Sequence, residues 1–507
     1  MTKRTFTSLL LIMLLGAVLS ACGGTTPSTS TSASTTEPIT NTSVPITSDA
    51  PAAVTETAPT TAAAPTTETA PTTAADTSDM KDVTIRWFVG LGLGAQPNQI
   101  EVENAVVKKW NDEHPNGPKL EIEIVQTLQA YDALKTEIAG GNAPDIVGPN
   151  GNAGLNTFRD QWLDLSDLIA SNQVDTSVYD KAVVDAYNLP DQGQVALPFS
   201  VAPSFIYFNK DLFDEAGLPY PPQEFGQQYQ GKEWNFETLR ELAMQLTIDK
   251  AGNDATNPAF DQDQISQFGF VDQWGGGGLA HTGSLFGSGS LVAEDGKTAQ
   301  IPEPWRKAIQ WYYDGIWTDN FIPNDAYQSS DLFAGNPFGS GKQAMAWGHL
   351  WYLCCFEKDK VQNWDIAVVP SYEGQTTAPL HADAFEIIKT TKHPEAAFMI
   401  YQYLSNNEDL LTVYGTLPAR QDFRDKFFKA QEEKFAPNKI TWSVALNSLQ
   451  YVDKPSHEAV LPNNLEANDT LAAFATKLRT TPDLDVNQEL DALQKTLQGI
   501  YAKAPSQ

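Results

Sequence analysis

Tryptophan is concentrated in the second half of the chain, where Trp274, Trp305, Trp311, Trp317, Trp347, Trp351, Trp364 and Trp442 make up eight of the twelve. A flat indole stacks on the weakly apolar face of a ring while amides and carboxylates meet a hydroxyl rim, so this set suits recognition of a polyhydroxylated ring. Amides in loops could supply the rim. Gln96 and Asn98 lie in the glycine-rich "GLGLGAQPN", and Asn150 and Asn152 end the run "PDIVGPNGN". One amide both donates and accepts, as vicinal hydroxyls require. Trp274 opens "QWGGGGLAHTGSLFGSG", whose glycines can bring backbone close to a ligand or form a mobile lip. The stretch lacks the Gly-Lys-Ser/Thr ending of a phosphate loop. "WRKAIQWYYDGIW", Trp305 to Trp317, has apolar residues at helical spacing and reads as core.

Residues that would make or break bonds are harder to find. The six histidines include no i,i+4 pair of metal-site type, and no Gly-x-Ser-x-Gly elbow occurs. A glycosidase pair is recognised by spatial separation, so the many acids are uninformative in sequence. The expectation is a binder without catalytic residues, cofactor or metal. Cys354-Cys355 leaves two readings open. Adjacent Cα atoms sit about 3.8 Å apart, below the usual disulfide range of about 4.4 to 6.8 Å, so two buried thiols compete with a strained vicinal disulfide.

The elements that must position these residues alternate. "DVTIRWFVG" reads as a strand, Gln99 to Asn111 as a helix, "LEIEIVQT" as a strand, and Tyr131 to Ala139 as a helix stopped by Gly140-Gly141. The short strand of "PDIVGPNG" follows. This is an α/β pattern with a mainly parallel sheet, in which loops beyond the strands' carboxyl ends bind ligands. In "QVALPFSVAPSFIYFNKDLFDEAGLPYPP", Val195 to Leu197 and Ser204 to Asn209 read as two strand pieces joined by a crossover that Pro198 and Pro203 punctuate, with a helix from Asp211.

Lys3 and Arg4 followed by the apolar run Leu9 to Leu19 read as a targeting leader, residues 1–21, too short for a comfortable membrane span. Leu19-Ser20-Ala21-Cys22 resembles a bacterial lipobox, which would lipidate Cys22 and anchor the protein to a bacterial membrane outside the cytoplasm; an ordinary signal peptide is the alternative. Residues 22–80 then form a linker. From Gly23 to Met80 there is no Lys, Arg, Trp, Tyr or Phe, and "ETAPTTAA" occurs at Glu56 and again at Glu68. Such composition builds no core. As a flexible coil it spans roughly 40 Å root-mean-square. The 427 residues that follow carry 57 acidic against 31 basic side chains, a net charge of about -26. That balance argues against nucleic acid or anionic lipid as a partner, and the length suits two domains.

Five segments, "GNAPDIV", "LPFSVAPSFIYFNKDLFDEAGL", "FGSGKQAMAWGHLW", "WDIAVVPSYEGQ" and "EIIKTTKHPEAAFMIYQYL", have the order and spacing of extracellular solute-binding proteins of family 1, the maltose-binding-protein-like carbohydrate class. The resemblance runs from about Lys81 to the C terminus. It implies an α/β, two-lobed periplasmic-binding-protein-like fold of type II, with the ligand cleft between lobes joined by three crossings. By match these fall near Phe199 to Pro203, Ala382 to Phe385 and Leu417 to Ala419. One lobe would hold 81–199 plus 384–416, the other 200–383 plus 417–507. The resemblance places Trp351 where the family commonly carries a sugar-stacking aromatic. Because Gly348-His349-Leu350-Trp351 departs from the usual Gly-Pro-Trp, Trp347 or His349 could stand there instead. Ser200 and Asp383 would lie near the cleft floor and Arg420 just past the third crossing, with Asp383 binding ligand or pairing with Arg420. The implied function is capture of a sugar by closure and delivery to ABC-transporter permease subunits, by a chain acting as a monomer. A polyamine or polyol phosphate as ligand, or a surface glycan-processing enzyme, are the other readings.

Overall fold

The computed structural model describes residues 80–189, 192–273, 278–333, 336–355 and 361–503, apart from the side chains of Leu128, Ala182, Cys354 and Cys355. The leader, Cys22, the linker to Asp79, Trp274 and any disulfide between Cys354 and Cys355 lie outside the described residues. No described helix is long and apolar enough to cross a membrane.

The described strands in chain order are β1 (Thr84–Val89), β2 (Lys119–Ile124), β3 (Ile146–Asn150), β4 (Asn188–Leu189), β5 (Gly193–Gln194), β6 (Pro198–Asn209), β7 (Ile248–Asp249), β8 (Ile265–Asp272), β9 (Gln343–His349), β10 (Trp364–Ala367), β11 (Leu380–Ile387) and β12 (Leu417–Pro418). Ten of them form one sheet, ordered β2-β1-β3-β11-β6-β9-β8-β7, with β10 and β12 also pairing to β6. The mainly parallel sheet expected from the alternating pattern is found only toward the flanks, where β1 runs parallel to β2 and β3, and β8 parallel to β9. At the centre β11 is antiparallel to both β3 and β6, and β6 to β9, so the sheet is mixed.

β6 explains how one sheet serves both halves. It is a single buried strand of twelve residues rather than two pieces around a crossover. Its first half pairs with β11 and β12, and its second half with β9 and β10. Pro198 starts the strand and Pro203 sits where its partners change, positions at which a missing N–H interrupts the ladder least.

The first helix, Pro97–Glu113, begins with proline, which lacks only an N–H that has no helical partner. The Gln99 side-chain oxygen accepts from the Gly94 and Gln96 amides and holds its first turn. Gln99, Glu103, Val106 and Trp110 form its buried face at spacings of four, three and four. The second helix, Thr127–Ala139, ends as the glycine pair requires, with Gly141 at φ +71°. Gly148 in β3 has φ +133°, and a Cβ there would stand 2.7 Å from the Ala384 oxygen of β11. The "WRKAIQWYYDGIW" segment is the helix Glu303–Trp317, and the indoles of Trp305 and Trp317 donate to the oxygens of Gly287 and Leu478. Both are structural, as the spacing predicted.

Candidate functional site: a histidine-rich cleft floor

Strand register sets one face of the central sheet. Directly paired residues point the same way and every second residue shares their face. Ser200 pairs with Asp383, Ala202 with His381, Ser204 with His349, and Asp272 with Trp347. The small side chains of Ala202 and Ser204 leave space above β6. His381 and His349 lean over it from either side until their ring centres are 3.9 Å apart.

Two further histidines close on this pair from outside the sheet. His281 comes from the short helix Leu279–Ser284 and His457 from the irregular segment before the helix Asn464–Thr480. The Nε2 atoms of His457 and His381 are 3.3 Å apart, and the His281 ring centre lies 5.5 Å from His457 and 5.9 Å from His381. Trp347 packs its buried ring 4.4 Å from His281, and Trp351, half-buried in the 3-10 turn after β9, lies nearly parallel to His349 at 5.9 Å. Four of the six histidines thus share one place.

Carboxylates surround them. His457 Nδ1 and Asp453 Oδ2 are 2.8 Å apart, Glu458 Oε1 is 3.7 Å from His381 Nδ1, and Asp272 Oδ1 is 3.7 Å from His281 Nε2. Burial, then the other rings, hold His281 and His349 well below the ordinary imidazole value, and burial lowers His381 against the pull of Glu458. Burial also opposes the His457 cation, but the hydrogen bond and charge of Asp453 outweigh it and raise that group. Burial and the charge of Glu458 push Asp383 up to about 7, against the hydrogen bond from Ser200.

A cavity of about 320 Å³ opens beside His281 and His457, with Glu458, Asn156, Asn464 and Asn468 among the polar groups in its wall. That is the lower end of the range for small-molecule sites. Asn152 and Asn156, on the helix Asn152–Thr157 that follows β3, meet Glu458 of its wall: Asn152 Nδ2 donates to Glu458 Oε2 at 3.1 Å and Asn156 Nδ2 to the Glu458 backbone oxygen at 2.9 Å.

Residues 96–409 match the family described as bacterial extracellular solute-binding protein. The chain belongs to this family. It is 24% identical over 342 residues to the arabinooligosaccharide-binding protein of Halalkalibacterium halodurans, covering 64% of this chain and 69% of that one. Among solved structures it is similar to the ABC substrate-binding protein Lmo0181 from Listeria monocytogenes in complex with cycloalternan, at TM-score 0.62 and 20% identity over 82% of this chain and 98% of that one. The sugar-binding protein MalE from Xanthomonas citri gives TM-score 0.62 and 17% identity over 83% and 98%. These similarities establish the two-lobed α/β fold of the family, with binding proteins as the relatives.

Within that fold the expected site residues divide. Ser200, Trp347, His349 and Asp383 share the cleft floor, Trp351 stands at its edge and Asn152 reaches over it. Asn150 does not: it is fully buried at the end of β3 and its Nδ2 donates to Glu386. Gln96 and Asn98 are exposed around the start of the first helix, Gln96 as its N-cap, away from the histidines. The proposed Asp383–Arg420 pair does not form. Arg420 makes a two-pronged pair with Asp422 at 3.1 and 2.7 Å and donates to Asn406 at 2.7 Å, while Asp383 accepts from Ser200 at 3.3 Å. A carboxylate two residues away outcompetes one that must be reached through the sheet. In the "GLAHTGSLFGSG" segment Gly283 serves packing, since a Cβ there would stand 2.6 Å from the Trp305 ring. His281, His457, Asp453, Glu458 and Asn156 carry no local sequence signal for this site. His381 carries one, the alternation in "HAD" that puts it on a common face with Asp383, as "WGH" does for Trp347 and His349.

Proposed function

We propose that the protein captures a sugar or oligosaccharide in this cleft and delivers it to the permease of an ABC importer, held at the membrane through a lipid on Cys22. The observation that carries the reading is a cavity lined by Asn156 and by His281, His457 and Glu458, adjoining a histidine cluster in which the half-buried indole of Trp351 stands 6.1 Å from the His381 ring. Amides, a carboxylate and imidazoles can satisfy hydroxyls at the ring edge while the indole takes its apolar face. The family relatives that bind arabinooligosaccharide and cycloalternan support this ligand class.

The three neighbouring segments at Phe199 to Pro203, Ala382 to Phe385 and Leu417 to Ala419 would serve as the hinge, because β11 and β12 both pair with the first half of β6. Closure about them would shield the ligand and create the form a permease recognises. No bond is made or broken. A thermal-shift screen of the purified chain against mono- and oligosaccharides tests this reading: at a hundredfold excess over Kd a ligand stabilises by about 2.7 kcal/mol. No shift with any sugar, alongside a shift with a polyamine, would overturn the sugar reading, and release of shortened sugars on incubation would overturn the binder.

A further inference from the structure

The four histidines exceed what a sugar pocket needs. We propose that His281, His381 and His457 bind one divalent transition-metal ion, Zn²⁺ being the probe of choice, at the floor of the cleft. One ring nitrogen from each of the three lies within 4.8 Å of the other two. Zn–N bonds of about 2.0 to 2.1 Å in a tetrahedron place ligand nitrogens about 3.3 to 3.4 Å apart. The Nε2 atoms of His381 and His457 already stand 3.3 Å apart. The nitrogen of His281, within 4.8 Å of the other two, would have to move closer for the triangle to close on an ion.

The surroundings match what such a site needs beyond its ligands. Metal-bound histidines characteristically give their second nitrogen to a carboxylate, which fixes the tautomer and leaves the other lone pair for the ion. Asp453 stands in that relation to His457 at 2.8 Å, and Glu458 faces the Nδ1 of His381. Imidazole selects zinc, copper, iron and nickel over calcium and magnesium. The His281 Nε2 is buried with no hydrogen-bond partner among the described residues, a cost that a ligated ring would avoid. His349, fully buried behind His381, packs the ring in place. Because His281 and His457 also line the 320 Å³ cavity, a position on the ion opens toward bound solute or water.

The test is a calorimetric titration of the untagged, chelator-stripped full chain with ZnCl₂, paralleled by Co²⁺ followed in the visible spectrum. The expectation is one ion per chain, with the absorption of tetrahedral Co²⁺. His381→Gln and His457→Gln should each weaken Zn²⁺ at least 100-fold, and Asp453→Asn by about 10- to 100-fold. His114→Gln and His393→Gln, at the two remaining histidines, should leave it unchanged. Absence of stoichiometric Zn²⁺ binding to the unaltered chain would overturn the proposal whatever the variants' folding, as would Zn²⁺ binding of equal affinity in the His381→Gln/His457→Gln double variant. Sugar-induced thermal shifts, measured on the stripped chain, report on the ligand reading separately.

Discussion

The two ends of β11 bury ionisable side chains in opposite ways. At its C-terminal end Glu386 is wholly enclosed, takes a hydrogen bond from Asn150 of β3, and is pushed well above the carboxylate range by burial. At its N-terminal end His381 and Asp383 are only partly covered, ringed by other titratable groups and close to a cavity. Around Glu386 the enclosure is complete although the pairing is not, since Glu386 Oε1 and Asn150 Oδ1 have no hydrogen-bond partner among the described residues. Around His381 the partners come from four separate segments and leave room for something else. Buried polarity that is sealed from any void positions strands; buried polarity that opens on a void is available to a ligand.

The sharpest way to break this contrast is at the sealed end. Asn150→Leu keeps the branched four-atom side chain, slightly enlarged, but removes the donor that Glu386 has, so urea unfolding should show a loss of about 3 kcal/mol, near the upper limit for an orphaned buried polar group. Sugar affinity measured on the folded fraction should not change. If Asn150→Leu instead lowers affinity and spares stability, the division between the two ends fails.

A second sealed carboxyl sharpens the comparison through pH. Glu103 lies on the buried face of the first helix, accepts the Tyr414 hydroxyl at 2.8 Å, and is raised by burial from 4.5 to about 7. A folded value above the unfolded one means the folded protein keeps a proton that the unfolded chain releases. Stability from this group is therefore complete below about 4.5 and lost as pH rises through 7. Glu103→Gln removes the titration. The drop in unfolding free energy between pH 5 and pH 8 should shrink by about 2 kcal/mol, read from urea curves at both values. An unchanged drop would place the proton elsewhere.

At the open end the expected effect falls on ligand and not on stability. Trp351→Ala should weaken sugar binding about tenfold, some 1.4 kcal/mol, by isothermal calorimetry, with melting temperature shifted by no more than a few degrees. Unaltered affinity would remove Trp351 from the site.

The difference between the ends also marks what could be read from sequence. Local periodicity carried the first three strands and their helices, because each is decided by residues within a turn or a pleat: the face Gln99, Glu103, Val106 and Trp110, or the alternation of "LEIEIV". Helical spacing likewise marked Trp305 as core. β6 was divided because two prolines look like breaks until the strand's change of partners accounts for them. The family resemblance named Ser200, Trp347, His349, Trp351 and Asp383, and strand register sets Ser200, Trp347, His349 and Asp383 on one face of the sheet. The histidine cluster was invisible for another reason. Its members stand at 281, 349, 381 and 457, and only the register of β9 and β11 against β6 and the return of the chain near 457 unite them. No spacing rule spans such distances. Asn150 was misplaced since a strand's last residue can face either a cleft or a neighbouring strand, and the pairing of Asn150 with Ala384 decides for the latter.

Asn152 provides the smallest and most discriminating test, because it stands two residues from Asn150 and belongs to the other regime. Its amide meets the Glu458 carboxylate at 3.1 Å, in a half-exposed setting where one hydrogen bond contributes about 0.5 to 1.5 kcal/mol. Asn152→Ala frees Glu458 without orphaning a buried group. Global stability should move by less than about 1 kcal/mol in urea unfolding. If the Asn152–Glu458 contact holds the two walls together before ligand arrives, its loss favours the open form. Sugar affinity should then fall two- to fivefold with slower association and little change in dissociation, measured by stopped-flow tryptophan fluorescence. A faster dissociation with unchanged association would instead make Asn152 a direct contact to bound sugar. Either result keeps it at the open end; a loss of several kcal/mol in stability would move it to the sealed one, and with it the boundary drawn between residues 150 and 152.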